Sequence, residues 1–140
     1  MPLLSDVIEM CIAFNKKHQG YRNPDGRLGG ILIEAKDSQM YRDLYNREIG
    51  EDIIELLQKY GIDTIEKART TCPIYLHSFD YETVKYWGDH SELPNNFLAE
   101  QHGKLNLTDV AIHATGVGLN DFWLWDYANH RPSDTFYEAR

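Results

Sequence analysis

GGILIEAKD, residues 29–37, sets two glycines ahead of a run of branched apolar residues and closes it with a carboxylate and an ammonium. The run has the length of a strand and does not alternate polar with apolar, so it predicts a parallel strand over 30–36 with both faces covered. Residues two apart in a strand share a face, which puts Leu32, Glu34 and Lys36 on one side and Ile31, Ile33 and Ala35 on the other. Glu34 and Lys36 therefore stand together at the C-terminal end, where parallel α/β folds bind their ligands. A carboxylate there can ligate a hard divalent cation, and a neighbouring ammonium can neutralise a phosphate. The two can equally pair with each other at the strand exit, and their spacing is compatible with either arrangement.

Helical patterns flank this strand. From Ser5 the apolar positions Val7, Ile8, Cys11, Ile12 and Phe14 recur at helical spacing, with Ser5 or Asp6 placed to cap and Gly20 beyond the end. Asn23-Pro24-Asp25-Gly26 then predicts a turn that leads into the strand. After a polar connection through Tyr41 and Tyr45, EIGEDIIELLQKYG places Ile49, Ile53, Leu56, Leu57 and Tyr60 on one helical face with Gly61 at its end. CPIYLHSF, 72–79, reads as a second strand, and Asp80 opens a helix through Val84 and Trp87. Residues 97–101 and 110–118 read as two more strands, and Ser133 or Asp134 opens a last helix. Strands alternating with helices predict an α/β fold with a parallel sheet, either an open doubly wound sheet or part of a (β/α)8 barrel.

In the second strand Tyr75, His77 and Phe79 share a face, so an imidazole comes near the C-terminal end, where it can meet a phosphate or serve as an ordinary core hydrogen-bonding group. Ser78 points the other way and reads as structural. His113, inside VAIHATG, sits near the end of an apolar strand without a carboxylate at ligand spacing. His18, His90, His102 and His130 read as solvated. Gly116-Val117-Gly118 resembles a piece of a dinucleotide fingerprint whose third glycine is missing. Phe122, Trp123, Trp125 and Tyr127 can pack under a loop or grip an apolar partner.

A chain of 140 residues is the size of one domain, and 42% hydrophobic with 26% charged residues is a globular composition. The net charge of −8 argues against nucleic acid or an anionic membrane as partner. Cys11 and Cys72 read as buried thiols, not as a disulfide or a metal clip. MPLLSDVIEMC has neither a signal-peptide pattern nor a transmembrane span, so a soluble, cytoplasmic chain is the default expectation.

The order of segments IEMCIAFNKKH, GGILIEAKD, GEDIIELLQKYGI, YLHSFDYETVKYW, GVGLNDF and TFYEAR resembles the middle of the glycerophosphodiester phosphodiesterases, over nearly all of the 140 residues. That family has a (β/α)8 barrel of the phosphatidylinositol-phospholipase C type. The resemblance implies one partial TIM barrel over 1–140, lacking the N-terminal strands and the last strand. It implies hydrolysis of a glycerophosphodiester to an alcohol and glycerol 3-phosphate with a divalent cation, Mg2+ or Ca2+, hence a place in lipid metabolism. Glu34 would then be one of three carboxylate metal ligands, Lys36 would contact the substrate phosphate, and His77 would stand where the family has a small polar residue or glutamine. The family's His-Arg-Gly, Glu-x-Asp and His-Asp motifs do not occur in this sequence, so no complete catalytic set is expected. Loss of a general acid or base costs about 100- to 10,000-fold each, so the chain is expected to be inactive alone. A protein partner completing the barrel is one expectation; a non-catalytic binding or structural subunit derived from the fold is the alternative, and a flavodoxin-like binding domain is a third.

Overall fold

The computed structural model describes residues 3–18, 28–99, 106–119, 125–126, 129 and 131–132. Four strands, β1 (Ile31–Ala35), β2 (Ile74–Ser78), β3 (Asn95–Ala99) and β4 (Gly116–Leu119), form one sheet in the order β1-β2-β3-β4. Every pairing in it is parallel. Helix α1 (Leu4–Lys17) precedes β1; α2 (Ser38–Tyr45), α3 (Ile49–Lys59) and α4 (Ile65–Thr71) lie between β1 and β2; α5 (Tyr81–His90) and α6 (Leu107–His113) make the next two crossovers. Trp125–Asp126 (β5) and Arg131–Pro132 (β6) pair antiparallel in a separate two-stranded ladder. The expected α/β class with a parallel sheet is therefore present. No helix among the described residues is long and apolar enough to cross a membrane.

Strands that follow one another as neighbours in a parallel sheet, each reached by a right-handed crossover, return every helix to the same face. Burial alternates accordingly. Ile33 and Ala35 of β1 and Ile74, Leu76 and Ser78 of β2 are buried with Ile8, Ile53, Ile54, Leu57, Val84 and Trp87 from the helices. On the other face Leu32 is 61% and Tyr75 48% exposed. The expectation that both faces of the first strand are covered is thus corrected: the described residues cover one. The strands are also staggered. β1 and β2 start level, Ile31 opposite Ile74; β3 starts two residues further along, Asn95 opposite Leu76; β4 starts one further still, Gly116 opposite Asn96.

Local chemistry explains most element boundaries. Asp6 reaches back to accept from the Leu3 backbone N–H at 2.9 Å, closing the start of α1. Glu48, Thr64, Asp80 and Asn106 each accept a backbone N–H of the first turn of α3, α4, α5 and α6. Gly61, at φ +64°, takes the left-handed turn that ends α3. The expected elements differ in four places. Residues 41 and 45 belong to helix α2, bounded on both sides by left-handed residues, Asp37 (φ 53°) and Asn46 (φ 49°). Helix α4 fills a stretch to which the periodicity assigns nothing. The third strand starts two residues earlier than expected. The run 110–118 is no single strand: capped by Asn106, it continues α6 to His113, and only 116–119 is extended. Within α1, Ile8 is buried and Phe14 is 52% exposed, so the apolar positions divide between two faces. The turn at 23–26, the helix expected from Ser133, and the side chains of Phe122, Trp123, Trp125 and Tyr127 lie outside the described residues, as do His102 and His130.

Candidate functional site

The parallel register assembles a row of polar residues across the uncovered face. Glu34 of β1 is opposite His77 of β2, His77 is opposite Asn96 of β3, and Asn96 is opposite Gly116 of β4. Cα partners of parallel strands point their side chains to the same side, so all four positions share that face. Gly116 leaves room for its neighbour: a Cβ there would stand 2.6 Å from Asn96 Oδ1. A Cβ on Gly118 would stand 2.7 Å from Leu98 Cδ2. These close approaches account for the G-V-G spacing, and no helix follows it among the described residues as a dinucleotide fingerprint requires.

Glu34 is the hub of the row. Its Oε1 lies 3.5 Å from Lys36 Nζ, and its Oε2 lies 3.8 Å from His77 Nε2. Lys36 is 70% exposed at its side chain and His77 16%, so the ammonium is presented to solvent while the imidazole is held between strands. The three residues singled out in the sequence, Glu34, Lys36 and His77, are therefore brought together, and the Glu34–Lys36 ion pair is formed. Glu34 and His77 are joined by no third His, Cys, Asp or Glu among the described residues. One carboxylate and one imidazole fall short of the six to eight oxygen ligands of Ca2+ or the octahedron of Mg2+, so the described residues by themselves do not fit such a cation.

Behind the row the strand exits are braced. Ser78 Oγ donates to the Ala35 carbonyl at 2.8 Å and accepts from the Asp80 backbone N–H at 3.1 Å, tying the ends of β1 and β2 together from the helix side. This is the structural part expected of Ser78. Arg42, on α2, donates to Glu48 Oε2 at 3.0 Å, to Thr83 Oγ1 at 3.3 Å and to Asp80. Glu48 and Asp80 also cap α3 and α5, so one guanidinium joins α2 to the first turns of two helices. Burial pushes the Asp80 carboxyl up, but hydrogen bonds from Arg42 and the Thr83 backbone N–H outweigh it and hold Asp80 below the ordinary carboxylate range. Ser38 Oγ is buried beside this exit with no hydrogen-bond partner among the described residues.

The other candidates are structural. His113 ends α6 with Nδ1 3.2 Å from Asp89 Oδ1, a carboxylate from a different helix that sequence spacing could not reveal. His90 Nδ1 lies 2.8 Å from the Tyr86 carbonyl and its ring stacks on Tyr86. Cys72 is buried and Cys11 partly so, and both thiols are free; burial, then a hydrogen bond with Cys11, push the Cys72 thiol up. Sequence reading missed Asn96, Arg42 and α2. Asn96 gains its place only from strand register, and the partners of Arg42 are dispersed over some forty residues. No family model matches the chain, and no curated protein and no solved structure matches it either.

Proposed function

We propose that residues 1–140 are the phosphodiester-binding part of a (β/α)8 barrel of the glycerophosphodiester phosphodiesterase type, binding through Lys36 and His77 without hydrolysing alone. The observation that carries this reading is the convergence of Glu34, Lys36 and His77 at the C-terminal ends of two parallel strands, on the uncovered face. Lys36 supplies the point charge for a phosphate oxygen, and His77 supplies a ring N–H beside it. The stagger supports a barrel: three residues accumulate over three strand steps, and eight strands with a shear of eight average one residue per step. In such a barrel the uncovered face is the interior, and Leu32, Tyr75 and Phe79 become core. The motifs that would supply acid, base and further metal carboxylates in that family are not in this sequence, so no hydrolytic step is assigned to these residues.

The test is calorimetric titration of the chain with glycerophosphocholine and with glycerol 3-phosphate, with and without Mg2+ or Ca2+, alongside an assay for glycerol 3-phosphate release. Saturable binding that Lys36→Ala weakens, with no turnover, is expected. Binding unaltered in Lys36→Ala and His77→Ala would remove the site.

The alternative, a non-catalytic subunit of a larger assembly, draws on a separate observation. β1 and β4 each have an unpaired edge among the described residues, and Met10 and Phe14 of α1 and Ile112 of α6 are exposed. Unpaired parallel edges and exposed apolar side chains are the surfaces that another chain would cover.

A further inference from the structure

The four strands of the main sheet run in chain order, all parallel, and leave one edge of β1 and one of β4 unpaired among the described residues. A closed barrel has no such edges. The register fixes how a second set of four strands would meet this one. Along the row of Cα partners Glu34, His77, Asn96 and Gly116, the position shifts from three residues past Ile31, the start of β1, to the first residue of β4. The row has thus slipped three residues toward the strand starts in three steps. Eight strands with a shear of eight slip about one residue per step, or about four over each half. The next step from Gly116 therefore arrives four residues before Glu34, at Gly30 of a second β1. Partners in a parallel ladder share a face, and Gly30 has the parity of Leu32 and Glu34, the uncovered side. A slip one residue shorter or longer would turn the helix-packed side inward. The same register sets Gly118, which has no side chain, opposite Leu32, and Val117 opposite Ile31.

We propose that two copies of this chain close one eight-stranded barrel about a twofold axis, β4 of each pairing with β1 of the other. Both junctions are then identical, and the half-slip of four residues, repeated once, gives the full shear. Leu32, Tyr75 and Phe79 are 61%, 48% and 44% exposed on the face that becomes the interior. At about 100 Å2 for each such side chain, two copies bury about 600 Å2 there. That is half of the roughly 1,200 Å2 at which stable interfaces begin, before the two new ladders are counted. The net charge of −8 does not fall on this face: Glu34 and Lys36 are paired with each other at 3.5 Å, so each copy brings one charge of either sign. The proposal rests on the barrel in the reading above and not on its phosphate site.

Sedimentation equilibrium of the chain from about 1 to 100 µM is expected to give a species of twice 16.3 kDa and nothing larger. Leu32→Asp puts one unpaired carboxylate per copy inside the barrel and should weaken the dimer on the order of a hundredfold or more. The register is read separately, on the wild-type face. Ile31→Cys chains mixed with Val117→Cys chains and oxidised with glutathione disulfide should form a linked dimer that neither variant forms alone, since neighbouring strands stand at disulfide distance. A chain that stays at 16.3 kDa, an open-ended series of larger species, a dimer that Leu32→Asp leaves as tight, or a dimer without the 31–117 link overturns the proposal. Glycerophosphocholine bound by a monomer would overturn the dimer and leave the phosphate site standing; a closed dimer that binds none would do the reverse.

Discussion

Replacing Arg42 by methionine removes the cation that bridges Glu48 and Asp80 across α2, α3 and α5. The carboxylates remain in place, still capping their helices through Gly50 N–H and Thr83 N–H, but with their shared charge partner gone. Removing one member of a fully buried pair costs about 3–5 kcal/mol. Here the three side chains are 18–22% exposed, so water recovers part of that, and a loss of about 2–3 kcal/mol is expected. At roughly 2–4 °C per kcal/mol for a chain near this size, Tm should fall by about 5–10 °C. The effect also has a pH signature. Asp80 is depressed in the folded state, so its contribution is present above the unfolded carboxylate value near 4 and is lost as pH falls through the folded value. The stability gap between wild type and Arg42→Met should therefore narrow in acid, because protonation costs the wild type its ion pair but relieves the variant of an unpaired, partly buried charge. Urea unfolding followed by circular dichroism from pH 3 to 7 measures both, and a double-mutant cycle with Asp80→Asn should return a coupling of about 1 kcal/mol or more. A variant within about 0.5 kcal/mol of wild type, as at an ordinary surface site, or a gap constant with pH, would refute the bracing role.

Gly88→Ala should destabilise, although alanine favours helices by about 1 kcal/mol. A Cβ at this position would stand 2.3 Å from the His113 carbonyl oxygen and 2.7 Å from its Cα, backbone atoms that move only with α6; a stabilised variant in thermal unfolding would contradict this packing. Burial, then the hydrogen bond to Asp109 at 2.7 Å, push the Tyr81 hydroxyl up to about 12. That contribution is complete below pH 10 and is lost as pH rises toward 12, so Tyr81→Phe should flatten the alkaline limb of a stability profile. Glu34→Gln should strengthen phosphate binding without a divalent cation by a few-fold, because it removes a repelling charge and frees Lys36 from its 3.5 Å pair. Calorimetry in EDTA showing weaker binding would reverse the part given to Glu34.

The legible features were those set by short-range periodicity. The apolar run of β1, the stripe of α3 and the Asp80 cap needed only neighbours in sequence, and the shared face of Glu34 and Lys36 followed from strand parity. His77 shares their site only because Ile31 pairs with Ile74, and register is a property of two segments that neither reveals alone. VAIHATGVG was misread because an unbroken apolar run satisfies both periods; the Asn106 cap three residues before Asp109 was the available signal for a helix. The uncovered face was illegible because β1 is apolar on both sides, through Leu32 on one and Ile33 on the other, whichever of them is packed. Asn96 and Arg42 carried no local pattern that set them apart.

The central claim is that the exits of β1 and β2 bind a phosphodiester on the uncovered face. Backbone amide shifts of isotope-labelled chain, followed through a titration with glycerophosphocholine, test it most directly. Saturable shifts at Glu34, Lys36, His77 and Asn96, lost together in Lys36→Ala, are predicted. Shifts that are absent there, or that persist unchanged in Lys36→Ala, would contradict it.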